Sequence, residues 1–454
     1  MDNKLRLYHQ LVLFFIPLVF WLIPDNLIIL GFTPVGLLQI LLIGFLIIWP
    51  TNSRQPIMRI SRQIYWSFVA LILASLASYT YNYAIHDFNI NLLMSLGLST
   101  DFIYEKLSIL GLISLLSYIA ALQFGITLAA HEQRMGRFLK FFMLSGLTYS
   151  IINLVVWVIT TKGNIGRYNY VPFLFHSQGI SQERLWLLLM LAIGLRLQPQ
   201  KTILGRPLLS FIIIITSVNI ATIVIRLAWL QVILSVIVFV FIARNWINPI
   251  LRKRFTRLAA TTILLASIFG FLKFGQIFTN LFLHSGNTSS TNFDPSVIDR
   301  FMLIMHGWKL FINHIILGIG FGHFILYSTT PIFVSGQPVY VGSAHNALIM
   351  FACETGIIGF FIIIFINRSI ILLYSYLFKN NQDISSQLFN RSIFTILIVM
   401  IFSQFLTNSQ ILPIPSEGAS VGFAITIWLF IGMSIGTMLK ANQDLNPESK
   451  CTNQ

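Results

Sequence analysis

His345, Asn346 and Glu354 stand inside one apolar run, Ser343-Ala-His345-Asn346-Ala-Leu-Ile349-Met-Phe-Ala352-Cys-Glu354-Thr-Gly356-Ile-Ile-Gly359. Ionisable residues are costly in such a setting and are functional candidates by default. Neutral histidine near pH 7 is suited to accept a proton from a hydroxyl. At 100° per residue, Ile349, Ala352, Gly356 and Gly359 fall within about 40° of His345, so a small face for close helix packing is expected there. Glu354 is nine residues on, about 180° round a continuous helix, and the two cannot then form a dyad. The bland alternative is a capping His–Asn pair with a glutamate bonded inside the bundle.

Arginines supply the second kind of chemistry. Arg226 lies between Ile225 and Leu227, with Trp229 close by, in a long apolar stretch. It is either an anchor reaching to lipid headgroups or a guanidinium facing a cleft that holds an anion, phosphate bidentately being the best match. Arg167 and Arg300 share the same poorly charged side, and each alone also reads as a solvated loop residue. Three arginines on one mostly neutral face are a stronger case than any one of them. Gly318-Ile-Gly320-Phe-Gly322-His323 lacks the spacing of a dinucleotide loop and reads as a close-packed turn after an amphipathic helix, Val297–His314. Asp294 and Asp299, five apart, do not share a helix face, and no His-x-x-x-His occurs, so neither metal nor other cofactor is expected.

The elements that must position these residues follow from composition. Of 454 residues, 56% are hydrophobic and 9% charged, against about 25% charged in a soluble domain. That excludes a soluble enzyme, a nucleic-acid binder and a disordered scaffold. With Cys353 in an apolar segment and Cys451 in a polar tail, a disulfide framework is excluded too. Apolar runs of about 20 residues mark membrane helices. About twelve spans are expected: 11–30, 33–49, 64–81, 107–129, 141–160, 184–197, 207–225, 227–243, 258–275, 345–377, 392–408 and 419–439. The fold class is therefore an all-α integral membrane protein. Its predicted parts are an amino-terminal bundle of about nine spans (1–275), a large exoplasmic loop (276–344), carboxy-terminal membrane helices (345–439) and a polar tail (440–454). The first helix is read as retained, since no small-residue cleavage site follows it.

Lys/Arg bias sets the orientation. With the amino terminus cytoplasmic and the spans alternating, 21 of the 29 basic residues fall inside. Topology then explains the net charge of +15, and no basic nucleic-acid surface is needed. Both termini are expected in the cytoplasm. The long outer loop, with its Ser/Thr/Asn-rich coil and amphipathic helix, is expected to fold over the outer mouth of the bundle. No internal repeat of the transporter kind is seen.

Arg300 with Trp308 eight residues on, then Leu317-Gly318-Ile-Gly320-Phe-Gly322, then His345-Asn346 with Glu354, Gly356 and Gly359, resembles the signature of the O-antigen ligase and polymerase family. Arg226 is similar to that family's arginine before an apolar span, and Arg167 to the arginine of an earlier outer loop. The resemblance implies a multi-pass, metal-independent glycosyltransferase of the bacterial inner membrane, active on the periplasmic side in surface polysaccharide or lipopolysaccharide assembly. Its donor would be a glycan on undecaprenyl diphosphate and its acceptor a glycan or lipid-linked sugar, with membrane lipid around both. It implies His345 as catalytic base and Arg226, Arg300 and Arg167 as diphosphate ligands, with Asn346, Glu354, Trp308 and Gly320 in support. Ligation and polymerisation differ only in the acceptor, and the sequence leaves both open, as it does the oligomeric state. A small-anion or solute transporter is the competing class, but its charges would be expected near the membrane midplane.

Overall fold

A computed structural model describes residues 3–23, 33–48, 58–85, 100–161, 178–198, 204–222, 226–243, 295–327, 332–334, 337–339, 344, 346–380, 384–404 and 418–445. These form thirteen helices and one small hairpin. The first eight helices are α1 (Asn3–Trp21), α2 (Pro34–Ile48), α3 (Met58–Ile85), α4 (Thr100–Ala129), α5 (Glu132–Thr161), α6 (Gln178–Leu197), α7 (Arg206–Thr222) and α8 (Arg226–Ala243). Then come α9 (Pro295–Asn313), the single turn α10 (Phe324–Tyr327), the antiparallel strands β1 (Ile332–Val334) and β2 (Gln337–Val339), α11 (Ala347–Asn380), α12 (Ile384–Ser403) and α13 (Gly418–Leu445). The predicted span 258–275 lies outside the described residues.

Among the described residues, five helical stretches are long and apolar enough to cross a membrane: Gln63–Asn82, Ile109–Ala129, Glu132–Thr160, Ala347–Lys379 and Val421–Ala441. Five shorter apolar stretches accompany them, in α1, α2, α7, α8 and α12. The described part is thus all-helical and multi-pass apart from its hairpin, which the all-α expectation did not contain.

The core is built on two helices. In α6 every residue from Ser181 to Leu195 is buried, and in α13 every residue from Val421 to Gly436. Helix α13 lies closely along α4 because small residues meet there. A Cβ on Gly125 would fall 2.2 Å from the Leu429 carbonyl oxygen, and one on Gly432 2.1 Å from that of Leu122. Gly436 faces Ala129 in the same seam. Between helices in lipid, such small-residue contacts supply the packing attraction that water supplies elsewhere.

A polar belt ties the middle helices together near one end. Tyr149 Oη donates to Ser181 Oγ (2.8 Å), Asn153 Nδ2 to Asn219 Oδ1 (3.2 Å) and Trp186 Nε1 to Ser235 Oγ (2.8 Å). Gln182 Nε2 donates to Gln231 Oε1 (3.3 Å), and Gln231 Nε2 to Ser403 Oγ (3.4 Å). Arg184, which composition alone did not single out, is buried beside this belt. Its guanidinium lies 5.0 Å from the Phe20 ring centroid and donates to the Phe20 carbonyl.

Candidate active site

Helix α11 starts with a capped end. Asn346 Oδ1 accepts the Ile349 N–H at 3.0 Å, which satisfies one of the amides that a helix start leaves open. The Ala347 N–H donates to the Gln404 carbonyl at the end of α12 (3.1 Å). Asn346 is thus the capping half of the predicted pair. His345 lies outside the described residues.

From Ala347 the helix runs unbroken to Thr355 and breaks at Gly356, where φ is 67° and ψ −167°. A left-handed φ is cheap only for glycine. The break frees backbone groups, and the Gly-rich turn takes them up. The Cys353 carbonyl accepts the Ile319 N–H (2.8 Å) and the Glu354 carbonyl the Gly320 N–H (3.0 Å). The Ile357 N–H, which a continuous helix would send to Cys353, donates to the Ile315 carbonyl instead (2.8 Å). Contact is close enough to exclude side chains on both partners. A Cβ on Gly356 would lie 2.2 Å from the Ile316 oxygen, and one on Gly318, at φ 71°, 2.4 Å from the Glu354 carbonyl carbon.

Two residues of α3 lock this junction, and neither stood out in the sequence. Ser78 Oγ donates to the Glu354 carbonyl (2.9 Å), while Asn82 Nδ2 donates to the Gly318 carbonyl (2.9 Å) and to the Ser78 carbonyl (2.7 Å). Their i, i+4 spacing on an apolar helix was the available signal. Gly359 also differs from expectation. Its Cβ would strike Thr355 Oγ1 at 1.9 Å, within its own helix. Gly356 therefore makes the break and receives the turn, in place of the helix-packing role expected of it.

Glu354 points into the turn. Its carboxylate is wholly buried and accepts the Phe324 N–H at Oε1 (3.1 Å) and a backbone bond from Gly322. Oε2 has no hydrogen-bond partner among the described residues. The break follows Glu354 instead of preceding it, so the helix is continuous from Ala347 through Glu354 to Thr355.

Helix α9 reaches the same place from outside α11. It seats Gly307 so tightly that a Cβ there would lie 2.9 Å from Ile349 Cγ2 and 3.2 Å from Ala344 Cβ. By helical register position 300 falls within about 20° of Gly307, on the face turned toward Ala344. His306 Nε2 lies 3.0 Å from the Tyr327 carbonyl oxygen. The His314 ring packs edge-on to Tyr327 at 6.0 Å, and its partial burial lowers its pKa from the usual 6.5, leaving it neutral at pH 7. Trp308 stands apart: it is half exposed, 5.5 Å from the Phe311 ring, and turned about 100° round the helix from Gly307.

Arg226 is the first residue of α8. Five residues further along, Gln231 bonds Ser403, whose neighbour Gln404 receives the start of α11. The second turn of α8 and the start of α11 thus meet the same end of α12. Arg167 lies outside the described residues.

Residues 210–364 match the model of a known family, described as O-antigen ligase. Over this stretch, about a third of the chain, the sequence is similar to the O-antigen ligase family. The stretch takes in Arg226, Arg300, the Gly-rich turn and α11 through its break, while Arg167 precedes it. No curated protein matches the chain. The family is the one that the signature in residues 300–359 resembles.

Proposed function

We propose that this chain transfers a glycan from undecaprenyl diphosphate to an acceptor sugar hydroxyl on the outer side of the inner membrane. In that reaction the acceptor O–H gives its proton to His345 and its oxygen attacks the anomeric carbon. The bond from that carbon to the diphosphate breaks, and the charge leaving on the lipid diphosphate is met by Arg226 and Arg300, with Arg167 in support. Asn346 and Glu354 hold the frame by capping α11 and tying down the Gly-rich turn.

The observation that carries the reading is the seating of Gly307 on Ala344 and Ile349. It sets the helix bearing Arg300 against the immediate neighbour of His345, within the stretch that matches the family. The Lys/Arg bias supports an outer location for this end of the bundle and cytoplasmic termini.

Measuring donor affinity and turnover separately tests the base. His345→Gln keeps a hydrogen-bonding side chain but does not take a proton at neutral pH. Turnover should fall about 10²–10⁴-fold with donor affinity kept. Preserved turnover in His345→Gln removes the base. Weakened donor binding in His345→Ala, with activity kept in His345→Arg, makes the residue a cationic partner of the diphosphate instead.

A further inference from the structure

Helix α9 has two apolar faces, and only one of them is used inside the protein. Leu303 and Gly307 are buried against α11. On the other side, Phe301 is 60% exposed, Met305 49%, Trp308 47% and Ile312 51%. These four lie within about 40° of one another's common axis along the helix, a stripe about 16 Å long. Lys309 and Asn313, both exposed, flank it. A soluble loop helix that folded over the mouth of a bundle would turn such a stripe inward and its polar flank outward. The arrangement here is the reverse.

The stripe does not end with the helix. It passes through the exposed Ile315 and Ile316 to Ile357, whose N–H bonds the Ile315 carbonyl (2.8 Å). From there it runs on through Ile358, Phe361, Ile364 and Phe365, the exposed side of the membrane-crossing stretch Ala347–Lys379. That side of a crossing helix has lipid as its surroundings. Since α9 runs into that same surface, joined to it by the Ile357–Ile315 bond and with Lys309 and Asn313 to one side, the same solvent should cover it.

We propose that α9 is a membrane-embedded helix, its Phe301–Met305–Trp308–Ile312 face buried among the acyl chains of the adjoining leaflet. Trp308 and Lys309 sit at the boundary where an amphipathic ring and a snorkelling ammonium are favoured. An amphipathic helix of this kind lies in the interface with its apolar face about 5–10 Å into the headgroup and acyl boundary. On this proposal α9 meets the bilayer sideways, where the sequence led to the expectation of a loop helix closing over the mouth. The inference stands whether or not the chain transfers glycans.

The test uses the full-length chain in lipid nanodiscs. Phospholipid carrying a photoactivatable diazirine on its acyl chain is irradiated with the unmodified protein, and labelled peptides are mapped. Label on 301–316 at a level comparable to 357–365 is expected. Label on 357–365 with none on 301–316 overturns the proposal. Spin labels on single cysteines at Met305 and Ile312, in a Cys451→Ser background, provide the second reading. Collisions with oxygen should exceed those with an aqueous nickel chelate several-fold, and the order should invert at Asn313. Chelate dominance at all three positions, or shielding of Met305 and Ile312 from both quenchers, shows that water or another protein surface covers the stripe and overturns the proposal.

Discussion

Glu354 is more than a polar residue that a membrane helix happens to contain. Its carboxylate receives the Phe324 N–H and a Gly322 backbone bond, and it thereby fixes the far end of the Gly-rich turn while the near end is held by main-chain bonds. Glu354→Ala leaves these donors buried without a partner, a loss typically costing about 1–3 kcal/mol. Glu354→Gln retains an acceptor oxygen and should lose less. Thermal unfolding of the purified variants checks this order, and equal stability of both with the parent chain would remove the tethering role. The sequence marked Glu354 as an ionisable residue in an apolar run, and the unbroken Ala347–Thr355 stretch carries it. Its partners were not legible, because backbone amides some thirty residues earlier carry no side-chain signature.

At the scale of elements, the junction between the Gly-rich turn and α11 is decided by Gly356, whose role a helical wheel misreads. A glycine in an apolar helical pattern looks the same whether it lets another helix approach or breaks its own. Only the freed Cys353 and Glu354 carbonyls, taken up by Ile319 and Gly320, tell the two apart. Gly356→Ala should therefore be severe. An L-residue in the left-handed region costs about 1–2 kcal/mol, and a Cβ 2.2 Å from the Ile316 oxygen adds an overpacking cost of about 1–3 kcal/mol. Gly422→Ala serves as the contrast, since its Cβ would meet only the Val35 side chain at 3.2 Å. Comparing their unfolding temperatures checks the assignment, and a Gly356→Ala variant as stable as Gly422→Ala contradicts it. The helix-to-helix seam of small residues does exist, but between α4 and α13. Their sequence separation concealed it: hydrophobic runs locate helices and leave the pairing of distant ones open.

The whole molecule is the scale at which composition spoke most clearly. A charged fraction of 9% and repeated apolar runs gave a multi-pass helical protein, and five stretches of crossing length with five shorter apolar ones agree with it. The sidedness proposed from 21 inside basic residues predicts labelling from outside at a cysteine replacing Ser289 and none at one replacing Asn248. Labelling only at the latter inverts the orientation. What sequence pattern could not supply was convergence, the meeting of the second turn of α8 and the start of α11 at the end of α12 with α9 seated on Ala344 and Ile349. Such contacts join residues 37 to 172 positions apart, and no local period encodes them.

The central claim is that a lipid-diphosphate glycan is held by Arg226 and Arg300 and passed to a sugar hydroxyl. It is tested most directly with the purified full-length chain in liposomes, a lipid-diphosphate glycan and candidate acceptor glycans, by measuring transferred product. Bidentate guanidinium contacts to phosphate are not reproduced by an ammonium. The parent chain should form product, and Arg226→Lys and Arg300→Lys, at equal protein level, should each lose most of it. Near-parental transfer by both lysine variants would contradict the account.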